Sequence, residues 1–120
     1  MQFNGLLLEE SVADRSVLDL LTITKTETWN VANATANQPR VWHAVYYEGD
    51  INNADIIAKA LCQSLKAGEW YTNFTANDQV HVIFPGKVFV YLKGDKASRG
   101  EAQAYGRSIH IAESQLDWGE

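Results

Sequence analysis

The chain has 120 residues, 46% hydrophobic and 21% charged, with a formal net charge of −5; this is one domain's worth of ordinary globular composition. Ten Lys and Arg stand against fifteen Asp and Glu. The bases are scattered, which argues against gripping nucleic-acid phosphates or an anionic membrane, since both need clustered cations. The lone cysteine, Cys62, excludes an intramolecular disulfide framework.

The N-terminus has no basic segment leading into a long apolar run, and no stretch approaches the length of a membrane span, so a cytoplasmic protein is expected. Two N-x-T sequons, at Asn33 and Asn73, carry meaning only in secreted chains and count as chance matches.

Residues 3–8 form a short apolar run that predicts a first strand. Ser11 and Asp14 then have the S-x-x-D spacing of a helix start, with Val17, Leu18 and Leu21 as its apolar side. Glu9, Glu10 and Asp14 suit the positive end of that helix better than a catalytic carboxylate pair, because no acid–base partner is nearby. Residues 22–31 put Thr22, Thr24, Thr26 and Thr28 on one face, with Ile23, Lys25, Glu27 and Trp29 on the other. Polarity on both faces suits a sheet edge. A polar loop follows at 33–39, then a strand at 41–49 with large apolar groups on both faces, expected to be central.

The next helix opens near Asn52 or Asn53 and stops before Gly68. Ile57, Leu61 and Leu65 make its stripe, and Ala54, Ala58 and Ala60 allow close approach to a sheet. Cys62 flanks the stripe as a small buried group, since nothing there lowers a thiol pKa. Residues 70–95 are rich in β-branched and aromatic residues, with turns at 76–78 and at Pro85-Gly86, and they predict a three-stranded meander. A type II turn fits strand twist poorly in a two-residue hairpin, so a longer loop or a bulge is expected at Pro85-Gly86. A capping box from Ser98 to Glu101 opens a last helix with Ala102, Tyr105 and Ile109 on its apolar side. Trp118 in the tail is expected to be packed.

The order strand–helix–strand–strand–helix–strand through Phe74 matches a ferredoxin-like βαββαβ core, extended by a β-hairpin and a C-terminal helix. The predicted fold is therefore a single α+β domain over residues 1–120, a two-layer sandwich with a mainly antiparallel sheet and helices on one face. Val80, Val82 and Phe84, with Val88, Val90 and Leu92, would meet those helices. The opposite face would then carry His81, Ile83, Phe89 and Tyr91, with Tyr71 and Asn73 nearby. An aromatic face of that kind is a partner interface or the floor of a ligand pocket.

Other candidates are weaker. His43, His81 and His110 lack the close spacing of a metal site, so no metal or cofactor is expected. Lys93, Lys96 and Arg99 beside a helix start are read as solvated rather than anion-binding. Trp70-Tyr71, the run from Val82 to Lys87 and the tail from Glu113 to Trp118 together resemble a small family of bacterial proteins of unknown function. That resemblance implies a cytoplasmic single-domain protein and transfers no catalytic residue. The sequence therefore points to a non-enzymatic interaction module that forms a homodimer through its aromatic sheet face, with no nucleic-acid or membrane partner. The alternatives are a small-molecule binder or enzyme using His81, Tyr91, Tyr71 and Asn73, or a partner-binding protein using the 33–39 loop and Trp42.

Overall fold

Strand alternation and two glycines crossed by aromatic rings set the architecture. The computed structural model describes residues 2–31 and 38–119. Its strands are β1 (Gln2–Leu8), β2 (Thr22–Asn30), β3 (Val41–Asp50), β4 (Thr72–Ala76), β5 (Gln79–Phe84) and β6 (Lys87–Leu92). They form one sheet in the order β2-β3-β1-β4-β5-β6, antiparallel at every step. The helices are α1 (Ala54–Ser64) and α2 (Lys96–Ser108). The α+β class with an antiparallel sheet is thus present, with β2 at an edge and β3 inside the sheet as expected. The polar loop at 33–39 and the Asn33 sequon lie outside the described residues, apart from Gln38 and Pro39.

β1 and β3 hold each other through small-for-large exchanges. Gly5 faces Tyr47 across the ladder, and Gly49 faces Phe3. The Tyr47 ring lies over Gly5 and brings its hydroxyl 3.1 Å from Thr72 Oγ1, and Thr72 Oγ1 in turn donates to the Leu6 carbonyl at 2.6 Å. Burial pushes the Tyr47 phenol pKa above its ordinary value. Phe3 stacks on Phe74 at 4.0 Å and Phe74 on His81 at 4.6 Å, so three rings run across β1, β4 and β5. Ile57, Ala58 and Leu61 of α1 close this side.

The crossover from β1 to β2 is not the expected α-helix. It is two 3₁₀ segments, Glu9–Ser11 and Arg15–Leu20. Asp14 rather than Ser11 is the cap, accepting from the Ser16 N–H at 3.0 Å, while the Ser11 hydroxyl donates to the Leu8 carbonyl. This segment is tied to the end of α1: the Ala13 and Asp14 N–H groups both donate to the Ser64 carbonyl. A second orphan carbonyl of that helix end, Cys62, accepts from the Gly86 N–H at 3.1 Å.

That bond bears on a correction. Phe84 pairs directly with Lys87, so Pro85-Gly86 is a two-residue turn, with Gly86 at φ 78 and anchored to α1. A loop of two residues pairs even-numbered positions of β5 with odd-numbered positions of β6: Val80 with Tyr91, and Val82 with Phe89. Phe89 and Tyr91 therefore share the valine face of β5, and His81 and Ile83 share the opposite face with Val88 and Val90. The expected grouping of His81 and Ile83 with Phe89 and Tyr91 required a loop of odd length.

Helices on one face only is the second correction. Ile83 packs with Leu61 and Ile57 of α1, whereas its neighbours Val82 and Phe84 pack with Ala102 of α2 and with Leu116 and Trp118 of the tail. Adjacent strand residues point to opposite faces, so α1 and α2 lie on opposite sides of the sheet. α2 also starts earlier than the capping box implied. Asp95 is its N-cap and accepts from Ser98 N and Oγ, which holds the Asp95 carboxyl below the usual carboxylate range. Trp118 is buried, as expected.

Two stability predictions follow from these contacts. A Cβ at Gly49 would overlap the Phe3 ring and come 2.9 Å from Ile57 Cδ1. Gly49→Ala should lower unfolding free energy by about 2–3 kcal/mol in urea titration, the usual cost of overpacking; an unchanged midpoint would show that the ring can move aside. His81 is buried, and among the described residues neither ring nitrogen has a hydrogen-bond partner; Asp55 Oδ1 stands 3.5 Å from Nε2, too far for a good bond. His81→Phe keeps the stack on Phe74 and removes two unpaired polar atoms, so it should raise stability by roughly 1 kcal/mol. A loss of stability would reveal a partner for His81.

Candidate functional site

On the α2 side of the sheet, the helix and tail cover β5 and β6. The same face of β2, β3, β1 and β4 continues beyond them as an open cleft of ≈ 760 Å³. Leu6 and Leu8 of β1 and Tyr46 of β3 form its floor. The walls hold Trp29, Trp42, Trp70 and Trp118, which are all four tryptophans of the chain.

Ordinary strand geometry and short polar contacts place each of them. Trp29 and Trp42 are direct partners in the β2–β3 ladder, so their rings leave the sheet on the same face. The Trp42 indole N–H donates to the Pro39 carbonyl at 2.7 Å, and its ring meets Trp70 edge-on at 5.8 Å. At the other end, Trp118 donates to the Tyr91 hydroxyl at 2.9 Å and packs edge-on to Tyr71 at 5.5 Å. Arg99 of α2 lies over the Trp118 ring at 4.9 Å and donates to its carbonyl at 2.7 Å.

Side-chain amides fix the tail that makes this wall. Gln38 and Gln115 exchange amide hydrogen bonds at 3.3 and 3.0 Å, and Gln38 also donates to the Glu69 carbonyl. Gln103 holds the Leu116 carbonyl, and the Tyr71 hydroxyl donates to that of Gln115. At the β2 edge, the Tyr46 hydroxyl donates to Glu27 at 2.6 Å while Lys25 sits over the Tyr46 ring at 5.4 Å. That hydrogen bond lowers the Glu27 pKa and raises that of Tyr46.

The charge of the lining has one sign. Glu69 and Asp117 line the cleft, and no Lys, Arg or His does so among the described residues. Burial raises the Tyr71 phenol pKa, with Asp117 adding to the rise and Arg99 opposing it.

The five residues expected to bind do not form one site. Tyr71 and Asn73 line the cleft, the latter donating its amide to the Gly119 carbonyl at 3.2 Å. Tyr91 lies behind the wall as the acceptor for Trp118, and Phe89 packs against Phe84 and Tyr105. His81 is on the far side of the sheet. Sequence reasoning named Trp42 only as a possible partner contact and Trp118 only as packed, and passed over Trp29, Trp70, Tyr46, Glu69 and Asp117 as lining. The signal was present in the strand parity of Trp29 and Trp42 and in the acidic-Trp pairs Glu69-Trp70 and Asp117-Trp118.

Among the described residues, no helix is long and apolar enough to cross a membrane, and no group of three His, Cys, Asp or Glu is placed to hold a metal ion. No protein-family model, no curated protein and no solved structure matches the chain.

Proposed function

We propose that this chain is a non-catalytic ligand-binding protein whose site is the tryptophan-walled cleft, and that it takes a small, largely apolar organic molecule. The observation that carries the reading is the convergence of every tryptophan in the chain on one cavity. Trp42 and Trp118 are buried by the elements behind them, whereas Trp29 and Trp70 are only half-buried at the cleft, and indole surface left uncovered beside a cavity is better explained by a ligand than by the core. The volume is that of a typical small-molecule site. The lining offers no His, Cys or Lys as nucleophile or near-neutral base among the described residues, which supports binding over catalysis.

The test uses the tryptophans themselves. 1-Naphthol, a neutral aromatic probe, should change intrinsic tryptophan fluorescence saturably. Trp70→Ala and Trp29→Ala should each weaken it about tenfold or more, the usual weight of a tryptophan anchor. Unsaturable quenching, or wild-type affinity in both variants, would remove the proposal.

The scaffold reading is finer than class alone. We read β1 to β4 with their two crossovers as a ferredoxin-like split βαβ unit to which β5, β6 and α2 are appended. Two facts support it: the order β2-β3-β1-β4, and the packing of the 3₁₀ crossover and α1 into one core.

Self-association is a second reading, with its surface moved. The face expected to form the dimer is internal, since Tyr91 and His81 are buried. β6 is an edge strand, and Val90 and Leu92 on it are 48% and 62% exposed. Two copies pairing β6 to β6 would cover both and form a two-fold dimer. Light scattering should then give a dimer mass for the wild type and a monomer mass for Val90→Lys; a monomeric wild type ends this reading.

A further inference from the structure

We propose that the cleft selects organic cations, molecules with an apolar body and a quaternary or protonated amine. This inference rests on the cleft being a ligand site and specifies the ligand's chemistry.

Charge is the first argument. Among the described residues, Glu69 and Asp117 line the cleft and no basic residue does, on a chain of net charge −5. An anionic ligand would meet two carboxylates and, among the described lining residues, no cation. A neutral ligand would strip water from carboxylates without replacing it, an unfavourable exchange for an ionised group. A cation offsets that loss.

The aromatic rings give the second argument. The faces of Trp and Tyr carry negative potential and attract ammonium and guanidinium groups. Two rings of this cleft already do so within the protein. Lys25 lies over Tyr46 at 5.4 Å and Arg99 over Trp118 at 4.9 Å, although neither cation lines the cavity. Among the described residues, Trp29, Trp42 and Trp70 have no such cation. Each lining carboxylate is borne by the residue immediately before a cleft tryptophan, Glu69 before Trp70 and Asp117 before Trp118. Arg99 already covers the Trp118 ring, which leaves Trp70, with Glu69 also lining the cleft, as the ring open to a ligand's positive group. Leu6 and Leu8 on the floor offer nothing to a polar body, so the remainder of the ligand is apolar.

Three probes sharing one benzyl group test the assignment by tryptophan fluorescence and calorimetry: benzyltrimethylammonium, benzyl alcohol and phenylacetate. The cation should bind about tenfold more tightly than the alcohol, the scale of a desolvated cation–π contact, and phenylacetate should not bind. In the double variant Glu69→Gln, Asp117→Asn, the cation's advantage over the alcohol should fall to near parity while the alcohol's affinity is unchanged. The alcohol therefore reports whether the variant's cleft is intact. Equal or tighter binding of the alcohol by the wild type overturns the cation assignment and leaves the cleft as a site. So does a cation preference that survives in the double variant with the alcohol's affinity unchanged. If the alcohol's affinity also falls, the single variants Glu69→Gln and Asp117→Asn decide: the cation preference should shrink in at least one, and a preference undiminished in both overturns the assignment. Failure of all three probes and of 1-naphthol overturns the cleft reading as well.

Discussion

Six strands are wider than one helix, and the rest of the structure follows from how that width is covered. At about 4.8 Å per strand the sheet spans roughly 25 Å, while a helix with its side chains covers about 10 Å. One face solves this with two elements. α1 reaches β3, β5 and β6, and the 3₁₀ crossover fills in over β2 and β3. The other face has α2 and the tail, which seal β5 and β6 and reach the edge of β4 through the Asn73 bond to the Gly119 carbonyl. The face of β2, β3 and β1 is covered only in part on that side, and the side chains there determine whether it becomes a solvated face, an interface or a cavity.

Those side chains are not what a solvated face carries. An antiparallel sheet open to water on one side usually shows polar residues there. Here the uncovered face has Leu6, Leu8, Tyr46, Trp29 and Trp42. Trp70, Tyr71 and Trp118 stand around it as walls rather than folding down to fill it. Leu6, Leu8, Tyr46, Trp29 and Trp70 are half-buried there, so part of their apolar surface stays open to the cleft, a cost that folding alone does not require.

The elements were legible in the sequence because each rests on local periodicity. The edge character of β2 followed from its threonines, and the helix stripe from Ile57, Leu61 and Leu65. The faces were not legible, because they depend on a single integer. One residue more in the Pro85-Gly86 turn would have placed His81 beside Tyr91; the Gly86 bond to the Cys62 carbonyl holds the shorter turn, and that bond links segments far apart in the chain. The site was hidden for the same reason. Trp29 and Trp42 are brought together by ladder register, and Trp70 and Trp118 by contacts from the 38–42 segment and from α2. None of these relations is local in sequence.

Rigidity, finally, separates a binding cleft from a gap awaiting collapse. An unsupported tail bearing Trp118 would close over Leu6 and Leu8 and bury both. Here each segment of that wall is held from behind. Arg99 and Gln103 fix the carbonyls of Trp118 and Leu116 from α2, Tyr91 fixes the indole, and the paired amides of Gln38 and Gln115 join the tail to the segment leading into β3. Gly106 helps from the opposite direction. Leu116 packs so close to its Cα that a Cβ would stand 2.6 Å from Leu116 Cδ2, so the tail rests directly on the helix backbone. Holding a wall away from apolar surface by this many polar contacts lowers the ordering cost of binding, because the ligand meets a cavity already formed.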